Sequence, residues 1–350
     1  MTTVNGGRVL VAGGYGAVGT TVAATLSGWF PHRVVVGGRD EARARRLGGV
    51  RVDVTDPAAF RRTLTELGDV AAVVMCVEPP DARVARVCFE RGVHVVDIGA
   101  TPRLLESVAA LHEVAADAGA TGVLSVGVAP GLTNLLARRA HEAVGGSERI
   151  DLTVLLGAGE AHGADAVRWT VENLAAPSAA GRLRVPLPGH GTRTAHPFPF
   201  SDQHTLPRTL DGARVTTRLC LDSAPLTAAL FALRRAARYA VVRRALIASF
   251  RRVHLGGDLF ALRADAHRGD RHAAYAVTGR AQSRVTALVA AYVTRELLSN
   301  SLPAGVHHIE QLPSLSRLPE RLAEHGVALH HLTGPPFRGD RRPWSEPGTG

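Results

Sequence analysis

The sequence predicts an α/β fold: a doubly wound parallel sheet in the first part of the chain, with an α+β region behind it. Three observations predict it. The apolar run Val9-Leu10-Val11-Ala12 ends in the glycine turn Gly14-x-Gly16-x-x-Gly19 and is followed at once by a helical stretch. Apolar runs of strand length then alternate with helix-length segments up to about residue 134. From Glu148 that alternation gives way to alternating strands, Gly/Pro-rich loops and arginine-rich helical stretches. A chain of 350 residues has room for two domains.

The first elements justify themselves in order. Arg8 to Ala12 reads as a buried strand and Thr20 to Leu26 as a helix. Strand, glycine turn and helix N-terminus is the context in which a dinucleotide is bound. Gly14 permits the tight turn, Gly16 lets the backbone approach a pyrophosphate, and Gly19 allows close helix–strand packing. The helix N-terminus offers unpaired N–H groups and a partial positive charge. Gly14, Tyr15, Gly16, Ala17 and Val18 are therefore the expected cofactor cradle. The next strand, Arg33 to Val36, ends in Gly37-Gly38-Arg39 rather than in the acid that bonds a ribose 2′-hydroxyl. Arg39 suits a 2′-phosphate, which predicts NADP(H), with NAD(H) as the other possibility. Asp40 reads as the cap of the helix "DEARARRL".

Val50 to Val54 reads as a strand that sets Asp53 and Val54 near the adenine, and Asp56-Pro57 opens the following helix. Val70 to Val77 is a buried strand halted at Glu78-Pro79-Pro80, so Cys76 and Val77 reach toward the cofactor from its carboxyl end. Cys76 reads as a small packed side chain rather than a nucleophile. The helix "DARVARVCFERG", the strand "VHVVDIGAT", a helix from Pro102 to Gly119 and the segment "TGVLSVGVAP" complete the alternation.

Composition excludes several classes. No run approaches the ~18 apolar residues of a membrane span, and Met1 to Arg8 has no apolar signal core, so a soluble cytoplasmic protein is expected. Cys76, Cys88 and Cys220 are scattered and suit neither disulfides nor a thiolate zinc site. The net charge is +10, yet all 41 cations are arginine, a bias of composition rather than a polyanion footprint, so no nucleic-acid partner is expected. The absence of lysine removes Schiff-base chemistry, a phosphate-loop GKS/T and a Tyr-x-x-x-Lys reductase dyad.

The segments "VLVAGGYGAVG", "VVVGGRD", "VHVVDIGAT" and "GVAPGLTN" (Gly127 to Asn134) together resemble the saccharopine dehydrogenase-like oxidoreductases, as do Gly279 to Leu298 and "LPAGVHHIEQL". The resemblance implies a Rossmann domain, an inserted mixed-sheet domain that covers the substrate and serves dimerisation, and a C-terminal helix returning to the first domain. On that basis the expected boundaries are 1–134, 135–281, 282–322 and a tail over 323–350. It also implies a Pro-Gly turn beside the nicotinamide, which makes Pro130 a cofactor contact, and a homodimer. The lysine-forming branch is associated with a Lys/His pair that this chain lacks.

In the insertion, "RIDLTVLL" reads as a strand and "ADAVRWTVENLAA" as a helix, with the loop Gly157-Ala158-Gly159-Glu160-Ala161-His162-Gly163 between them. His162 is the candidate general acid or base, oriented by Glu160 or Asp165; a surface or capping role is the plainer alternative. Pro177 to Pro207 reads as a long loop or short edge strands anchored by Val185, Leu187, Phe198 and Phe200. The spacing of His190, His196 and His204 matches no familiar ligand set, and no metal is expected. Arg214 to Ser223 reads as a strand. A long helical region follows, in which Arg234, Arg235, Arg238 and Arg243 suit an acidic substrate, a partner, anionic lipid or simply solvent. "DLFALRADAHR" and "HAAYAVTGRAQ" read as an antiparallel pair. "SRVTALVAAYVTRELLSN" reads as a helix in which Tyr292 packs.

The activity expected is hydride transfer between a nicotinamide cofactor and a C=N bond of a small metabolite. The alternatives are reduction of a carbonyl or enoyl bond, which needs a proton donor such as His162, and an inert NADP-binding regulator.

Overall fold

The computed structural model describes residues 6–160, 164–252, 256–299 and 302–332. Up to residue 124 it alternates strand and helix: β1 (Arg8–Ala12), α1 (Gly19–Trp29), β2 (Val34–Gly38), α2 (Glu41–Arg46), β3 (Val50–Arg51), α3 (Pro57–Leu67), β4 (Val70–Met75), α4 (Arg83–Phe89), β5 (His94–Asp97), α5 (Pro102–Ala109), α6 (His112–Asp117) and β6 (Thr121–Leu124). The strands are apolar on both sides because both faces of the sheet are covered. Val9 and Val11 join Val22, Leu26 and Val74 in one core, while Leu10 and Ala12 face Phe60, Leu64, Phe89 and Leu105 in another. Asp40 caps α2 by accepting from the Arg43 N–H at 2.9 Å, and Asp56 caps α3 with Pro57 at its first position.

Three local expectations change. β3 stops at Arg51, because Asp53 Oδ1 accepts from both the Thr55 N–H (3.0 Å) and its hydroxyl (2.7 Å), a local turn that competes with the ladder. The helix expected from Pro102 to Gly119 is two helices, since the Leu111 N–H turns back to the Val108 carbonyl and buries Leu111 between them. The segment over 177–207 does form the expected short edge strands, paired as a hairpin, but it also opens a helix over Asp202–Thr209 that was not expected.

After residue 132 come α7 (Thr133–Ala143), β7 (Arg149–Leu156), α8 (Ala164–Asn173), β8 (Leu183–Leu187), β9 (Gly191–Pro197), α9 (Asp202–Thr209), β10 (Arg214–Leu221), α10 (Ala224–Ala232), α11 (Ala240–Arg252), β11 (Leu259–Arg268), β12 (Arg271–Arg280), α12 (Gln282–Leu298), β13 (Gly305–His308), α13 (Leu318–Arg321) and β14 (Ala328–Leu332). Two seven-stranded sheets result. The first is parallel throughout, in the order β13-β6-β5-β4-β1-β2-β3. The second is mixed, in the order β14-β12-β11-β7-β10-β9-β8, with β7 and β10 its parallel pair.

The segment after α12 serves both sheets: β13 closes the edge of the first and β14 an edge of the second. Residues 328–332 therefore form a strand within the stretch expected as a tail, and 333–350 lie outside the described residues. Helix α12 lies beside α1 on the first sheet, and the Tyr292 ring meets Trp29 edge-on at 5.1 Å. No helix of the described residues is long and apolar enough to cross a membrane.

Candidate functional site

The bend between β1 and α1 is built for close approach. Gly13 carries the positive φ of the turn, 81°, so the left-handed position falls one residue before the one the spacing suggests. A Cβ on Gly19 would stand 2.2 Å from the Gly13 carbonyl oxygen, which is why the helix can start so close beneath the turn. Gly14 is buried and serves the same packing, since a Cβ there would meet the Val11 carbonyl at 2.8 Å. Gly16 and Ala17 are exposed. The N–H groups of Ala17 and Val18 donate to no acceptor among the described residues. Two unpaired donors at the start of an 11-residue helix fit a diphosphate.

Tyr15 turns away from the cleft and lies over Gly38, where a Cβ would be 2.2 Å from its ring. Its hydroxyl accepts from the Asp40 N–H at 2.8 Å, and the Arg43 guanidinium sits 4.6 Å from the ring centre. Arg39 is exposed at the end of β2. Asp53 faces the same corner: the Thr55 hydrogen bonds first, then the charges of Arg39 and Arg51, hold its carboxyl below the usual range. Val54 is buried in the core with Leu10 and Phe60 and presents no side chain to a ligand. Arg43 is a second cation at this corner that sequence reasoning missed; its position one turn into α2 was the available signal.

A cleft of about 440 Å³ opens beside the bend. Gly16, Ala17, Val18, Cys76, Val77 and Pro130 all line it, so the structure brings these six expected contacts together from three separate stretches. Burial pushes the Cys76 thiol up to about 12, which keeps it neutral. Asp97, at the end of the adjacent strand, is buried; desolvation first, and then the charge of Glu78, raise its carboxyl to about 6. Its Oδ1 accepts from the Gly99 N–H at 2.7 Å. Asp97 and the cleft-lining Glu78 were not singled out from the sequence, although both stand at strand carboxyl ends.

The Pro130-Gly131 turn is fixed from behind. The Gly131 N–H donates to Asn134 Oδ1 at 2.9 Å, Asn134 Nδ2 donates to Glu310 Oε2 at 3.1 Å, and the Thr209 hydroxyl donates to Glu310 Oε1 at 2.8 Å. Asn134 thus links the turn to two distant parts of the chain, at Glu310 and Thr209.

The far wall comes from the second sheet and its helices: Leu156, Val167, Trp169, Phe200, Leu219, Leu221 and Leu230. Trp169 packs on Phe198 and Phe200 at 5.5 and 5.9 Å between ring centres. At the rim, Glu160 accepts from the Gln282 and Ser283 N–H groups, each at 2.8 Å, and so caps α12. His162 lies outside the described residues, and of Asp165 only the backbone, in α8, is described. Arg234 and Arg243 donate to main-chain carbonyls, and Arg235 and Arg238 are exposed. Among the described residues no group of three His, Cys, Asp or Glu side chains could hold a metal ion.

Among solved structures, the chain is similar to a diaminopimelate (DAP) dehydrogenase of C. glutamicum in complex with DAP. The identity is 15%, covering 91% of this chain and 98% of that one, with a TM-score of 0.48. An engineered D-amino acid dehydrogenase bound to NADP+ gives 14% identity over 91% and 98%, again at 0.48. An oxidoreductase from Sinorhizobium meliloti gives 13% over 93% and 99%, at 0.40. Residues 9–123, the stretch from β1 to β6 that carries the bend, Arg39 and Asp97, match the model of the saccharopine dehydrogenase NADP binding domain.

Proposed function

We propose that this protein is an NADP(H)-dependent oxidoreductase that transfers a hydride to or from a C=N bond of a small molecule, working as a homodimer. One observation carries the reading: two unpaired helix N–H donors open onto a cleft whose opposite wall is supplied by a second domain. Gly16, Ala17 and Val18 would hold the diphosphate, and Arg39 with Arg43 would favour a 2′-phosphate. Cys76, Val77 and Pro130 would enclose the nicotinamide. The cofactor supplies the hydride; the chain orients the acceptor and excludes water.

An imine suits this cleft. A C=N carbon that is protonated on nitrogen accepts hydride without a strong acid, and the neutral Cys76 offers no nucleophile for covalent chemistry. Glu78 places a carboxyl on the wall where such a cation would sit. The test is calorimetric titration of the full chain with NADPH and with NADH, followed by NADPH oxidation at 340 nm with cyclic imines. Tight NADPH binding and imine-dependent oxidation are expected. Failure to bind either nucleotide would overturn the proposal.

A further inference from the structure

We infer that the substrate of this cleft is an apolar imine or amine that carries no carboxylate. The inference rests on the hydride-transfer reading and names its substrate class. The wall facing the bend is made by Leu156, Trp169, Phe200, Leu219, Leu221 and Leu230, drawn from strands β7 and β10, helices α8 and α10 and the loop between β9 and α9. Phe200, Leu219, Leu221 and Leu230 are buried, so they form a packed apolar surface and not a mobile fringe. A carboxylate pressed against it would lose its water with nothing in return.

Among the described lining residues there is no positive counter-charge either. No arginine or histidine lines the cleft among the described residues, and the chain has no lysine. Helix N-termini are the other common anion cradles. The one at α1 faces the diphosphate bend. The one at α12, whose first residues Gln282 and Ser283 line the cleft, is already filled: both Glu160 oxygens accept its N–H groups. The protein thus supplies its own carboxylate where a substrate's would bind. An aryl or alkyl group fits the remaining wall, and its burial supplies the affinity.

The experiment uses the full chain saturated with NADP+, which cannot reduce an imine, so that binding alone is read. Two probes are titrated by calorimetry: 2-phenyl-1-pyrroline and 1-pyrroline-2-carboxylate. The phenyl imine is expected to bind at least tenfold tighter. Thr170→Arg, which sets a guanidinium on the lining beside Trp169, is expected to move the preference toward the carboxylate by tenfold or more, with its melting temperature checked against the parent. Equal or tighter binding of the carboxylate by the parent chain overturns the inference, as does binding of neither probe. The hydride reading fails separately: selective binding of the phenyl imine with no oxidation of NADPH would remove the reaction and leave the substrate class standing.

Discussion

At Gly38 a single methyl group decides how the corner beside Tyr15 is shaped. A Cβ there would overlap the Tyr15 ring, and the ring is held by the Asp40 N–H and by Arg43. Gly38→Ala is expected to displace Tyr15 and cost about 1–3 kcal/mol of stability, read from the urea midpoint. Arg39 makes no such packing contact and is exposed, so its removal leaves the fold intact. Arg39→Ala is expected to weaken NADPH about tenfold or more, because charge-assisted bonds to a phosphate are worth about 1.5–3 kcal/mol. NADH should change little; calorimetry showing equal loss for both nucleotides would remove Arg39 from phosphate selection.

Element by element, the decisive contact is that between the β7–α8 loop and α12. Helix α12 begins after Ala281, whose φ of 54° is left-handed, and its first N–H groups need an acceptor. Glu160 supplies two oxygens and a negative charge at the positive end of the helix. Glu160→Ala is expected to lower stability by about 1–2 kcal/mol, with Glu160→Gln falling between it and the parent in the same denaturation measurement. The glycine-rich loop marked this residue in the sequence. Its partner could not be read there, because Gln282 lies 122 positions away and meets it only once the second sheet has formed.

Over the whole molecule, two buried carboxyls make stability depend on pH. Burial raises Asp97 and Asp202 to about 6 from 3.8, and for Asp202 it outweighs the opposing pull of hydrogen bonds from Thr133 and from its own backbone N–H. Between about pH 4 and pH 6 the native state holds protons that the unfolded chain has released. Stability therefore falls as pH rises through that window and levels off above it. Asp202→Asn removes one of these protons from the balance. The variant is expected to show a flatter profile and to exceed the parent above pH 6 by up to about 2–3 kcal/mol, measured as unfolding free energy across pH 4–8. An unchanged profile would show that Asp202 stays ionised in the native state.

The sequence by itself determined what local rules control: the parallel sheet, the glycine bend, the caps at Asp40 and Asp56, and the placing of Ala17, Val18, Cys76 and Val77 along one cleft. A buried strand, a helix start and a strand's carboxyl end each leave their mark within a few residues. The tertiary structure alone decided the apolar far wall of the cleft, the clasp of Glu160 on α12, the bracing of Pro130-Gly131 by Glu310, and the return of residues 328–332 as a strand. Each of these joins groups far apart in the chain, and no periodicity encodes a partner that only the packing of two sheets brings near.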